Sequence, residues 1–363
     1  MSDIRSILGT LATTTAAVLL VTASAQADDP APAGYEQHTL VSDGSVPADH
    51  TDPNLVNAWG IVFNPTALVW VANNGTGTST LYDGSGQANP LIVSIPAVNG
   101  DETGNPTGIV FSGGNDFVVK NGTASGPARF IFAAENGTLS AWSPMADPTH
   151  AIIVANSSSR HAVYKGVALG GNGSGHFLYA TDFHNKHVDV FDASFKPTSV
   201  PGAFTDARLP QTYAPFGIQN VNGDIIVTFA RRATQGDDER AGPGLGIVDE
   251  FDADGHLIAR LVTHGPLNAP WGIALAPRGF GRFGGALLIG NFGDGAINAF
   301  DPHSGDFLGA LRDDNHDVLH VDGLWGMAFG NGVFGQKADT LFFAAGPHDE
   351  AGGAYGMITA QHR

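Results

Sequence analysis

Six short segments of this chain place a glycine before an apolar run: Gly60-Ile-Val-Phe, Gly108-Ile-Val-Phe, Gly166-Val-Ala-Leu, Gly217-Ile-Gln-Asn, Gly272-Ile-Ala-Leu and Gly326-Met-Ala-Phe. Successive glycines lie 48, 58, 51, 55 and 54 residues apart. A period near fifty is that of propeller blades, each one supersecondary unit that buries its faces only against its neighbours. A second strand-like run follows each segment, at 68–73, 129–135, 177–182, 224–230, 287–292 and 341–346. These runs are rich in aliphatic and aromatic residues and are bounded by turn residues, as strands are. A third run often ends in an aromatic residue and Asp, as in Tyr82-Asp83, Phe191-Asp192, Phe251-Asp252 and Phe300-Asp301. Fourth runs follow at 91–95, 151–155, 257–262 and 307–311, with a weak one near 199–204. The pattern predicts an all-β, six-bladed β-propeller of four-stranded blades.

The acidic, glycine-rich stretch 290–309 (GNFGDGAINAFDPHSGDFLG) then reads as most of the fifth blade. Asp294-Gly295 is a hairpin turn, where Gly supplies positive φ without steric cost. The last unit ends after its third strand, near 353–359, and 38–42 (HTLVS) is an orphan strand near the other end of the chain. We expect that strand to pair with the last blade and close the ring, because an open propeller leaves two unpaired edges.

Composition agrees with a turn-rich β protein: 49 Gly and 21 Pro in 363 residues. The net charge of −18 disfavours nucleic acid and anionic membrane surfaces. With no cysteine there is no thiol nucleophile, Cys-ligated zinc or iron–sulfur cluster. Residues 1–27 read as an export signal: Arg5, an apolar stretch densest at 16–21 (AAVLLV), then Ala25-Gln26-Ala27 before Asp28. The expected mature chain, 28–363, is one propeller domain and a monomer, without a membrane span, in the periplasm or outside the cell.

The stretches "NAWGIVF", "VWVANNGTGTSTLYDG", "APWGIALAP", "GNFGDG" and "AAGPHDEAGG" resemble an uncharacterised family of exported bacterial β-propellers. The resemblance covers roughly 35–359 and implies a fold and an exported location, but no reaction. The plan is more distantly similar to NHL-repeat proteins and to the gluconolactonase and paraoxonase groups. In those enzymes a divalent metal sits at the mouth of the central channel.

A propeller gathers the same loops of every blade at one end of its channel. One set of residues there precedes the inner strands: Asn57, Trp59, Asn105, Thr107, Lys165, Phe216, Asn268, Trp271, Asp322 and Trp325. The other lies at the turn after each second strand: Asn73, Asn74, Glu135, Asp182, His184, Arg231, Asn291, Asp294, His348 and Glu350. Hairpins favour Asn, Asp and Gly in any case, so part of this second set is turn chemistry. Glu135, Arg231 and His348 are not usual turn residues. If Asn57, Asn105, Glu135, Asp182 and Asn268 converge, they offer hard oxygen ligands that suit calcium first; the alternative is a wet polar funnel. His184 and His348 are the candidates for proton transfer. Trp59, Asn73, Arg231, Asn291, Trp271 and Trp325 are the candidates for contact with a ligand. For the tryptophans and Phe216, packing between neighbouring blades is the preferred reading, because large rings fill wedge-shaped gaps between sheets.

Other motifs carry less. His316 and His320 in "HDVLH" lack the Glu of a zinc helix and fall in a loop or strand. The charged insertion 231–244 (RRATQGDDERAGPG) in the fourth unit is expected to project over the mouth as a lid or partner loop. The loop 113–127 reads as plain surface at the opposite end. No phosphate-binding loop precedes a helix, and "GNGSG" at 171–175 lacks the strand-to-helix setting of a nucleophile elbow. Two functions stand: a binding module for a small molecule, glycan or protein at the polar face, or a calcium-type hydrolase or lyase resembling lactonases.

Overall fold

The computed structural model describes residues 34–98 and 103–361. The expected export signal and its cleavage point lie outside these residues. Within them, helical structure is limited to the short 3-10 turns Ser158–Arg160 and Gly281–Phe283.

Six sheets surround one axis. The first runs outward in chain order through Ala58–Phe63, Val69–Asn73, Thr78–Tyr82 and Val93–Ser94. The next four repeat that order from inner strands Pro106–Phe111, Tyr164–Gly171, Tyr213–Val221 and Pro270–Leu275. In the sixth, Leu324–Phe329, Leu341–Ala345 and Ala354–Ala360 are followed by Tyr35–Ser42, which pairs antiparallel with Ala354–Ala360. The short strand His50–Thr51 adds to its outer edge in parallel.

The recurrent glycines have a spatial cause. A Cβ on Gly217 would lie 2.0 Å from Trp271 O, and one on Gly272 would lie 2.8 Å from Trp325 O. A Cβ on Gly326 would lie 2.4 Å from Trp59 O, and one on Gly60 would lie 2.5 Å from Thr107 O. Each glycine therefore lets its inner strand approach the backbone of the next blade's inner strand, and the sixth blade meets the first in the same way. Side-chain hydroxyls reinforce these seams: Thr181 Oγ1 donates to Phe216 O (2.7 Å) and Thr228 Oγ1 to Pro270 O (2.6 Å).

Apolar side chains pack between neighbouring sheets, giving six interblade clusters and a seventh on the axis. The period-2 alternation of each strand directs one face into each gap. Trp70 stacks on Phe130 at 3.9 Å between the first two blades, and Tyr82 stacks on Tyr355 at 5.2 Å between the sixth and first.

Two expectations need correction. The segment 113–127 is not plain surface. It forms the hairpin Val118–Asn121 with Ala124–Pro127 and buries Phe117 and Val119 in the cluster between the second and third blades. Its apolar residues are too few to read as a strand pair, yet they cap that gap. The weak fourth run near 199–204 forms no strand; the third blade ends with Pro197–Thr198. Instead Val200 and Phe204 are buried against the fourth blade.

Candidate functional site

The mouth lies where inner strands begin and second strands end. The residue before the recurrent glycine faces the axis in five blades, as Trp59, Lys165, Phe216, Trp271 and Trp325, while in the second blade Thr107 turns its hydroxyl into the seam and donates to Tyr164 O. The aromatic members of this ring pack on one another across the channel. Trp59 and Trp325 stack at 3.4 Å, Trp271 meets Trp59 edge-on at 6.0 Å, and Phe292 stacks on Trp325 at 4.0 Å. Trp271 Nε1 donates to Lys165 O from two blades away (2.9 Å). These rings thus fill the channel, rather than the gaps between adjacent sheets, and they are buried. They form a floor that a ligand meets only after the polar layer above it. Beyond the floor, Ile61, Phe111, Phe329, Gln219, Asn220 and Asn222 help line a mixed polar and apolar funnel of about 500 Å³.

The polar layer centres on Lys165, the single charged member of the ring. Its side chain is 3 % exposed, and Nζ donates to Glu135 Oε1 at 2.7 Å. Nζ lies 5.2 Å from the centroid of Trp59 and 5.9 Å from that of Phe183, within cation–π range. Burial works to lower the Lys165 pKa, but the charges of Glu135 and Glu239 outweigh it and hold the ammonium above its ordinary range. Lys165 is a fixed cation. A chain of hydrogen bonds continues around the mouth: Asn74 Nδ2 donates to Glu135 Oε2 (2.9 Å), and Asn57 Nδ2 donates to Glu350 Oε1 (3.1 Å) and more weakly to Asn74 Oδ1 (3.5 Å).

Glu350 reaches this layer from a left-handed turn. His348, Asp349 and Glu350 have φ of 61°, 53° and 67°, and Glu350 N donates to Gly346 O. Successive non-glycine residues in this region are costly and persist only where the surroundings impose them. Asn57 and Asn105 share the same backbone region, at φ of 48° and 45°. Asn tolerates it best among non-glycine residues, which explains its recurrence before inner strands without any ligand.

The insertion crosses above. Arg232 bridges to Glu239 to make a hairpin whose tip contacts the third blade, while Gly242 beyond it contacts the fifth. Asp237 Oδ1 lies 2.6 Å from His184 Nδ1 and 2.9 Å from Arg232 Nη2. Asp238 Oδ1 lies 3.9 Å from Lys165 Nζ. Gly242 N donates to Asn268 Oδ1 at 2.6 Å. The hairpin does project over the mouth. Burial pushes the Glu239 carboxyl up to about 7 against the pull of Lys165, with Glu350 and Asp238 adding to the rise. Burial also raises Glu350, opposed by its bond from Asn57.

Three of the five expected oxygen donors for calcium, Glu135, Asn268 and Asp182, are engaged with other partners. Glu135 is paired with Lys165, and Asn268 is spent on Gly242 N and, through Nδ2, on Asp294 Oδ2. Asp182 is fully buried in its turn, accepting from Val163 N and from Asn185 N and Nδ2. Asn105 makes no side-chain hydrogen bond among the described residues. The residues present do not fit a divalent ion held by these five, because an ammonium already occupies the charge-neutralising position.

Asn73 and Asn291, like Asp182, end second strands and are fully buried. Asn73 Nδ2 donates to Thr78 and Thr80 hydroxyls, and Asn291 Nδ2 to Pro266 O and Asp294 Oδ1. They are turn residues. The next residue along faces the channel: Asn74, Glu135, Phe183 and Phe292 occupy that register. Arg231 makes no side-chain hydrogen bond among the described residues, and its neighbour Arg232 holds the hairpin. His184 sits at the rim with Asp237 on Nδ1, so Nε2 is directed away from that bond. His348 Nε2 lies 3.3 Å from Ser45 O, outside the Lys165 layer. The sequence places Lys165 at the mouth and the insertion above it but assigns neither Lys165 nor the Asp237–Glu239 corner a role; the one signal for Lys165 is that it is the charged residue among those directly before the six recurrent glycines.

One further cluster lies away from the mouth. The ligating atoms of Asp182, His187 and Asp189 lie within 4.8 Å of one another. Asp189 is already committed to Tyr164 Oη (2.5 Å), Arg160 Nη2 (2.6 Å) and His187 Nε2 (3.0 Å). Burial disfavours its charge, but these three donors outweigh that and hold its pKa at about 2.

No family model matches the chain. Among solved structures it is similar to a putative gluconolactonase, with TM-score 0.54 and 15% identity over 92% of this chain and 94% of that one. It is similar to a glucose dehydrogenase, with TM-score 0.53 and 12% identity over 90% and 100%. These likenesses show the fold alone. Among protein sequences, "Uncharacterized protein L690" of Acanthamoeba polyphaga mimivirus is 34% identical over 306 residues, 82% of this chain and 79% of the relative. "Uncharacterized protein R648" of the same virus is 33% identical over 327 residues, 88% of this chain and 78% of the relative. They add nothing to the expectation of a bacterial, exported family. At such identity over most of both chains, this six-bladed propeller belongs to one family with the mimivirus proteins L690 and R648.

Proposed function

We propose that the protein is an exported binding module that takes a small molecule, glycan or protein segment at its polar mouth. The observation that carries this reading is the layer built on the Lys165–Glu135 pair. A buried ion pair of this kind is costly to form and adds little net stability. Here it is combined with a sealed aromatic floor, convergent amides from Asn57 and Asn74, and a roof made by an insertion. Recessed polar groups over an apolar base are the usual makeup of a ligand site. Export rests on residues 1–27, with cleavage expected after Ala27.

The test is a thermal-shift screen of the mature chain against glycans and small metabolites, repeated with Asn74→Ala. A ligand that raises Tm in the native protein and not in the variant supports the reading. A screen whose only hits are unaffected by mouth substitutions removes it. Export is checked by expressing the full chain and sequencing the N-terminus of the product.

A second reading is an enzyme of the hydrolase or lyase class. One observation favours it: the 2.6 Å contact of His184 Nδ1 with Asp237 orients the imidazole and leaves Nε2 for proton transfer. Lactone and ester turnover that is lost in both His184→Ala and Asp237→Asn would establish it. Turnover unchanged in both would set this dyad aside.

A further inference from the structure

The hairpin places carboxylates above the Lys165 ammonium without completing a hydrogen bond. An ammonium has three donors. Among the described residues Lys165 Nζ uses one, on Glu135 Oε1 at 2.7 Å. The next acceptor, Asp238 Oδ1, stands at 3.9 Å, close enough to pair in charge but too far to accept a hydrogen bond. A buried cation is thus left with donor capacity on the side that the hairpin covers.

The cover is held loosely. No residue from 232 to 244 belongs to an apolar cluster. Its attachments are backbone bonds at Thr212 and Arg231, polar and ionic contacts at His184, Lys165 and Asn268, and the Arg232 guanidinium over Phe183. Asp238 is 82% exposed in its side chain. Segments with few buried apolar contacts open at low free energy.

The closed arrangement also carries too much negative charge. Lys165 is faced by Glu135 on its own layer, by Asp238 and Glu239 from the hairpin, and by Glu350 from the sixth blade. At the rim, Arg232 and His184 are occupied by Asp237. Beyond burial, Glu350 and Asp238 push the Glu239 carboxyl up, and Glu135 and Asp238 push the Glu350 carboxyl up. Lifting the hairpin removes two of these carboxylates from the Lys165 layer. A ligand with one carboxylate would take the open donors and put one negative charge where the hairpin puts two, leaving less repulsion behind.

We propose that Lys165 anchors the carboxylate of a ligand, and that the Asp238–Glu239 corner is an internal occupant that must leave first. The proposal rests on the mouth being the binding site and names the ligand chemistry it selects. The hairpin acts as a competitor carried in the same chain, so its effective concentration at the anchor is high.

The three buried tryptophans of the floor provide a reporter, since Nζ lies 5.2 Å from the Trp59 ring. Intrinsic fluorescence is followed while sodium acetate replaces sodium chloride at constant ionic strength. Asp238→Asn with Glu239→Gln is expected to lower the half-saturating acetate concentration at least tenfold relative to the native chain. Lys165→Met is expected to abolish the change. Because that variant leaves Glu135 unpaired, Lys165→Met with Glu135→Gln is measured beside it, with near-UV circular dichroism to confirm a native fold. An unchanged half-saturation in the hairpin variant, or acetate binding that survives in the folded double variant, overturns the proposal. A mouth ligand from the thermal-shift screen whose binding ignores Lys165 would overturn the anchor while leaving the mouth as the binding site.

Discussion

Replacing Gly217 by Ala tests the reason for the sequence repeat. The added Cβ would stand 2.0 Å from Trp271 O, 2.9 Å from the adjoining Trp271 carbon and 2.9 Å from Thr228 Oγ1. A relaxed contact to the carbonyl oxygen needs about 1 Å more room, judged against ordinary carbon–oxygen van der Waals separation. Both partners are backbone in inner strands, and each strand is also pinned by its own sheet. The substitution lowers the entropy of the unfolded chain, which favours folding by about 0.4–1 kcal/mol. Overpacking a close-packed interior costs about 1–3 kcal/mol, and a rigid backbone contact lies at or beyond the upper end. The net loss is then about 2–3 kcal/mol, or a Tm lower by roughly 3–4 °C at this chain size. Gly166 is the internal control. Its Cβ would stand 3.0 Å from Phe216 O and 3.2 Å from Thr181 Oγ1, a contact that small shifts relieve. Gly166→Ala is expected to fall within about 1 kcal/mol of the native chain. Differential scanning calorimetry of both variants decides the matter. Equal Tm values for the two, or a Gly217→Ala chain as stable as the native one, would refute close approach of inner strands as the cause of the repeat.

Further outcomes follow from the mouth. Trp325→Ala removes a ring that is 1% exposed and stacked on Trp59 and Phe292, so chemical denaturation should show a loss of about 3–5 kcal/mol. Glu239 has a folded pKa of about 7, above its unfolded value, so its contribution is fully present below pH ~4.5 and is lost as pH rises through 7. Glu239→Gln should therefore raise Tm relative to the native chain at pH 8, with the difference shrinking toward pH 5; a difference that grows on acidification would contradict the placement of Glu239. With the Lys165 ammonium in the charge-neutralising position, Tm is expected to stay the same with calcium or chelator, and elemental analysis to find no stoichiometric calcium.

Much of the mouth was legible before the fold was seen. Asn57 and Glu135 were named from their place beside strands, and both belong to the polar layer. Asn73, Asp182 and Asn291 were one residue out of register. In an extended strand successive side chains face opposite ways, so the residue that completes the turn cannot also face the channel. Asn74, Glu135, Phe183 and Phe292 hold the facing position. The tryptophans, expected to pack in the gaps between neighbouring blades, pack against one another across the axis instead. Calcium was expected from ligand type alone, and ligand type says nothing about a lysine arriving from another blade.

What the sequence determined by itself is the repeat: six glycines near a fifty-residue period, the strands that follow them, and their alternating faces. Those are local properties, set by neighbours along the chain and by the steric freedom of glycine. What only the tertiary structure decided is which side chains meet at the axis. Asn57 and Glu350 are 293 residues apart, and Glu135 and Lys165 are 30 residues apart on different blades. Their contacts depend on how far each blade is rotated and how closely inner strands approach. No spacing along the chain encodes that distance, because it is fixed by the packing of six sheets against one another.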